Sequence, residues 1–233
     1  MGGMVSLSGD LVHCAQALLQ MALDDRRREV RLSTNHFSSC AVGSILLLVA
    51  GFEAWLNEIL SEALFVCDRE RLKGLADEPL LTKYYGIPQR VAGVRMPANQ
   101  ELSLLIDLRH EIAHYLPRVI PDEGNVPAWL GELHRRRLFL YSSMGEQGPL
   151  GWNIASYRLA YWAWETVEAA VVEFVSAVTV EVHGRASVGS HCAENFGRFR
   201  MICPPSQLGQ YDSEHGLELT RIAERLHREV NGK

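Results

Sequence analysis

Asp107-Leu108-Arg109-His110-Glu111-Ile112-Ala113-His114-Tyr115-Leu116-Pro117 brings one arginine, two histidines and two acids into one short segment. No other window gathers as many reactive side chains. An apolar run over residues 102–106 leads into it and Pro117 stops it. The segment therefore reads as the second half of a helix over 99–116. Asn99 is suited to N-capping, and Glu101 lies in the first turn, where the helix dipole favours an acid. At about 100° per residue, Leu102, Leu105, Ile106, Ile112, Ala113 and Leu116 form an apolar face. Ser103, Asp107, His110, Glu111 and His114 fall on the opposite, polar face. Arg109 falls near the centre of the apolar face. An unpaired guanidinium there is costly, so a tie to an acid or a polar cavity is expected.

Two chemistries and one inert reading fit these residues. His110-Glu111-Ile112-Ala113-His114 matches H-E-x-x-H, in which two imidazoles one turn apart bind zinc and the glutamate serves as general base. That pattern is short and needs a third ligand. Glu165 and Glu168 are available on a later helix, but no third-ligand motif surrounds them, and Arg109 sets a fixed positive charge beside a zinc ligand. Arg109 and His114 instead suit phosphodiester chemistry, since a guanidinium matches phosphate and an imidazole exchanges protons near neutrality. On a straight helix these two point about 140° apart, which a site shared between two copies, or fraying before Pro117, relieves. The inert reading is a solvated helix face with a structural ion pair.

Arg109-His110-x-x-x-His114, with its flanking Leu-Leu-Ile-Asp-Leu and Tyr-Leu-Pro, resembles the signature of the HEPN superfamily (higher eukaryotes and prokaryotes nucleotide-binding): an arginine, commonly followed by Asn, Asp or His, and a histidine four to six residues further on. The resemblance implies an all-α fold and a metal-independent ribonuclease site where two copies of the helix meet in a homodimer. In that site Arg109 holds and polarises the scissile phosphate. His114 moves the proton of the 2′-hydroxyl or leaving group, His110 supports it, and Glu111 stands beside them. No cofactor and no metal are implied. The family also contains non-catalytic binding and dimerisation modules, which is the alternative reading, with the zinc protease third. Many members act in toxin–antitoxin or defence systems, so a cognate antitoxin or inhibitor protein is expected as a partner beside RNA.

Working outward, the chain has 233 residues, 47% hydrophobic and 22% charged, the composition of a globular protein. A net charge of −5 argues against broad nucleic-acid binding but leaves room for a local basic cleft. The cysteines (Cys14, Cys40, Cys67, Cys192, Cys203) are odd in number and form no C-x-x-C pair. With no leader-like N-terminus, a reduced cytoplasmic setting is expected.

Helical periodicity marks a first helix over 10–31, ending in a charge run, and a second over 37–67 behind Ser33, Thr34 and Asn35. Residues 41–56 are very apolar, but Glu53 interrupts them and they fall short of the ~20 residues that span a bilayer. They read as a core or dimer helix, not a membrane segment. Glu53 and Asn57 share one face. The segment 52–57 also resembles the corresponding HEPN helix, which makes Glu53 and Asn57 supporting residues, Glu53 as an acid that pairs with Arg109 or orients a histidine.

Residues 69–75 and 80–85 read as short helices, with Gly86-Ile87-Pro88 as a turn. After the central motif, Pro117, Pro121, Gly124 and Pro127 make a loop. Arg135, Arg136 and Arg137 follow as weak RNA-binding candidates. A helix over 152–182 has Ala155, Leu159, Trp162, Ala163, Val167, Ala170 and Phe174 on its core face. The fold expected is an all-α, up-and-down bundle of four main helices within residues 1–182. Residues 183–233 form a less regular extension ending in a helix over 214–230; His191 and Cys192 within it lack partners at ligand spacing.

Overall fold

The computed structural model describes residues 7–28, 35–66, 69–114, 128–136, 138 and 157–179. The expectations for the loop after Pro117 and for residues 183–233 lie outside them. In order come α1 (Ser8–Arg28), α2 (Asn35–Val66), α3 (Arg69–Leu72), a 3-10 turn (Leu75–Asp77), α4 (Leu80–Ala92), α5 (Gln100–Ala113), α6 (Ala128–Arg135) and α7 (Tyr157–Thr179). The described residues are all-α, with no strand among them.

α2 is the element the others share. It packs along α1 and also touches α4, α5 and α7. Ile45, Leu48, Phe52, Trp55, Leu56 and Ile59 recur at helical spacing and are all essentially inaccessible. Its apolar run is longer than residues 41–56, because Ile59 and Leu60 continue it. Cys40–Ser61, 22 residues, is long and apolar enough by length and composition to cross a membrane, which corrects the sequence reading. More than half of it is buried against the rest of the chain. Its acids have protein partners: Glu53 faces Lys83, and Glu58 accepts from the Leu7 and Ser8 amides at 2.9 and 3.0 Å and from Ser8 Oγ at 2.7 Å, capping the start of α1.

α1 lies close on α2 because α2 carries small residues where they cross. A Cβ on Gly51 would stand 2.8 Å from Val12 Cγ2 and 3.3 Å from both Leu11 Cβ and the Val12 backbone nitrogen. Ser44 Oγ donates to the Ala15 carbonyl at 2.8 Å, crossing the same seam.

α4 departs from the sequence reading. It runs for 13 residues through Gly86-Ile87-Pro88, where a turn is expected. Pro88 removes one helical donor, but Leu80, Tyr84, Ile87 and Pro88 are buried in the core, and packing outweighs that loss. Gly86 serves a close approach: a Cβ there would meet Leu75 Cδ2 at 2.9 Å. The helix ends at Gly93, whose φ of 72° is left-handed and whose amide bonds back to Gln89 and Pro88. Tyr84 then joins Phe52 and Trp55 of α2 and Phe174 of α7 in an aromatic core, with Trp55 and Phe174 edge-to-face at 5.2 Å.

Candidate functional site

α5 is tied down at its first turn. Asn99 caps it as expected, its Oδ1 accepting from the Leu102 amide at 2.9 Å. The Asn99 backbone N–H donates to Tyr85 Oη at 2.7 Å, and Asn99 Nδ2 donates to Glu173 Oε2 of α7 at 3.3 Å. The same Glu173 oxygen accepts the Tyr84 hydroxyl at 2.9 Å. Burial, then the hydrogen bond and negative charge of Glu173, push the Tyr84 hydroxyl well above its ordinary pKa. Glu101, in the same first turn, accepts from Trp162 Nε1 of α7 at 2.8 Å and pairs with Arg136, just past the end of α6.

The other end of α5 is open. Leu102, Leu104, Leu105 and Leu108 are buried, whereas Asp107, His110, Ala113 and His114 are exposed. The buried face is therefore rotated roughly a quarter turn from the one expected, because Leu104 and Leu108 turn inward. Ala113 leaves the apolar face, and Arg109 sits half-buried at its edge, not at its centre. Arg109 makes no hydrogen bond or ion pair with the described residues. α5 ends at Ala113, and His114 occupies the C-cap with φ −113° and ψ 28°. Its amide still donates to the His110 carbonyl at 3.0 Å, so the one-turn register holds. The two imidazoles are neighbours, with ring centroids 4.5 Å apart and planes inclined at 48°. Glu111 is half-buried beside them.

Other expected site residues have different partners. Glu53 lies 3.9 Å from Lys83 Nζ, and Asn57 Oδ1 accepts from the same ammonium at 2.8 Å. Both supporting residues thus face α4, and the expected Glu53–Arg109 pair is replaced by Glu53–Lys83. Lys83 is only 4% exposed and was not expected to matter. Its signal is its spacing, since Leu80, Lys83, Tyr84 and Ile87 share one helical face. That signal emerges only when residues 80–92 form a single helix, which Pro88 obscures.

The basic triplet is also engaged. Arg135 reaches Glu132 with two bonds of 2.9 and 2.6 Å, while Arg136 bonds Glu132 at 2.6 Å and also pairs with Glu101. Hydrogen bonds from Arg135 and Arg136 hold the Glu132 carboxyl down at about 2. Two of the three arginines thus belong to an ion-pair network joining α5, α6 and α7; the Arg137 side chain lies outside the described residues.

For zinc, the described residues bring together no group of three His, Cys, Asp or Glu side chains able to hold an ion. Glu165, though largely exposed on α7, has its carboxyl pushed up by partial desolvation and by Glu168. The polar end of α5 thus offers a guanidinium unpaired among the described residues and two adjacent, accessible imidazoles, groups able to bind an anion and to exchange protons. Compared with known protein families, curated proteins and solved structures, the chain matches none of them.

Proposed function

We propose that this chain is a metal-independent endoribonuclease of the HEPN type. The observation that carries the reading is the open end of α5: His110 and His114 are exposed with rings 4.5 Å apart, and Arg109 has no partner among the described residues. Structural ion pairs use up their arginines, as Arg136 illustrates, whereas Arg109 is left for an external anion. In the reaction, Arg109 holds the phosphate, and an imidazole, that of His114, takes the 2′-hydroxyl proton. The O2′–P bond forms, the P–O5′ bond breaks, and a proton passes to the departing O5′. The products are a 2′,3′-cyclic phosphate and a 5′-hydroxyl.

Arg109 at the edge of the buried face and His114 on the exposed face diverge, so the reading joins the α5 ends of two copies in one composite site. It also includes an up-and-down arrangement of the four long helices, a cytoplasmic setting and a cognate inhibitor that covers the site.

The test is RNA cleavage by purified protein in EDTA. Wild type is expected to cleave, and Arg109→Ala and His114→Ala to lose at least about 100-fold while staying folded by circular dichroism, the range that acid–base groups contribute. Equal cleavage by all three proteins, or none by wild type, removes the reading.

A further inference from the structure

The two imidazoles that make the candidate site reactive also have the geometry of a chelate. We infer that His110 and His114 form a two-nitrogen site for a divalent transition ion of the Cu2+ or Ni2+ class. Three observations carry this. First, the residues are one turn apart on α5 and the helical bond between them is intact, the His114 amide donating to the His110 carbonyl at 3.0 Å, so both rings leave the same face. Second, both side chains are exposed, and neither ring is tied by a hydrogen bond or ion pair among the described residues, so their nitrogens need not break one to turn toward an ion.

Third, the two rings are already close enough to share one ion. With a metal–nitrogen bond of about 2.0 Å and a ring centre roughly an ångström beyond the nitrogen, each centroid lies about 3.2 Å from the ion. Two rings held roughly 90° apart, as in square-planar or octahedral sites, then have centroids about 4.5 Å apart, and two at the tetrahedral angle about 5.2 Å. The distance here is 4.5 Å. The rings are inclined at 48°.

Imidazole prefers borderline ions, and Cu2+ heads the affinity order for nitrogen ligands. Asp107, one turn earlier on the exposed face, does not complete a three-ligand group, and no other described residue does, so among the described residues the remaining coordination positions fall to water or to a substrate oxygen. Arg109, next to His110 in the chain, is half-buried, whereas the two histidines are exposed.

On the ribonuclease reading, on which this consequence rests, an ion at this position takes the nitrogen lone pairs that accept protons. It therefore stops cleavage, so the site doubles as a metal-responsive brake.

The experiment has two independent arms. NiCl2 is titrated into metal-free protein with isotope-labelled histidines, and the imidazole resonances are followed by NMR. His110 and His114 are expected to broaden first and together, and His110→Gln or His114→Gln to weaken binding by about tenfold or more. Broadening that spares these two, or binding unchanged in both variants, overturns the proposal. The second arm adds NiCl2, and separately MgCl2, to the RNA cleavage assay. Inhibition by Ni2+, relieved by EDTA and absent with oxygen-preferring Mg2+, is expected. Cleavage that persists while the two histidines are broadened overturns the brake. Selective broadening in a protein that cleaves no RNA leaves the metal site standing and removes the ribonuclease reading, so the two fail separately.

Discussion

Lys83 shows what a single buried charge asks of its surroundings. Its ammonium is almost wholly out of water and has one hydrogen bond, to Asn57, with the Glu53 carboxylate further off at 3.9 Å. Removing the charge along with its needs is cheaper than stranding it. Lys83→Met is therefore expected to be near neutral in urea denaturation, while Asn57→Leu costs about 1–3 kcal/mol by leaving a buried donor without its acceptor. A larger loss from Lys83→Met would contradict this account. Asn99 is the residue-scale counterpart on α5. Asn99→Ala removes a cap worth about 1 kcal/mol. Asn99→Asp keeps the cap acceptor but sets a carboxylate against Glu173 in place of a donor, so near neutral pH it is expected to be less stable than wild type. The capping role of Asn99 is legible in the sequence because a cap is a local interaction. The charge partners of Glu53 and Arg136 are not, because they lie on other helices.

Among the elements, the α1–α2 seam distinguishes two glycines. At Gly51 a methyl group would meet the backbone nitrogen of Val12 and the Cβ of Leu11, neither of which swings aside, and Gly51→Ala is expected to cost about 1–3 kcal/mol. At Gly43 the only close atom is the end of the Leu18 side chain, so the gain in helix propensity, roughly 1 kcal/mol, offsets the contact and Gly43→Ala is expected to be near neutral. Thermal melts of the two variants check the contrast.

α6 is held differently, by charge. The Glu132 carboxyl is lowered in the folded chain from 4.5 to about 2. Its contribution is thus present above pH 4.5 and is lost as the pH falls toward 2. Because Glu132 and Arg136 are only half-buried and Arg135 is exposed, the contribution is small and screened by salt. Tryptophan fluorescence followed through that acid range should show α6 loosening, and added salt should lessen the pH dependence. The existence of α1, α2, α5 and α7 is legible in their periodicity. The rotation of α5 is not: Leu104 and Leu108 point inward to meet other helices, and a helix read alone does not reveal which of its leucines will find a partner.

At the scale of the whole molecule, α2, α4 and α7 converge on the Phe52, Trp55, Tyr84 and Phe174 rings. Phe174→Ala is expected to cost about 3–5 kcal/mol, a large share of the 5–15 kcal/mol that holds a typical domain, and equilibrium unfolding measures it. The all-α character of the described residues is legible from the sequence because its long apolar segments repeat with helical period. The length of the apolar stretch in α2 is harder to read, since Glu53 looks like an interruption until its partner on α4 is known.

The carboxylate of Glu58 that closes the start of α1 has a consequence for the order of events during folding. The bonds it makes to Leu7 and Ser8 span 50 or more residues of chain. The first turn of α1 therefore completes only after most of α2 exists, even though it comes earlier in the chain. During synthesis the leading end of α1 waits, frayed, until Glu58 arrives, and the amides of Leu7 and Ser8 should gain protection from hydrogen exchange together with α2 and not before it.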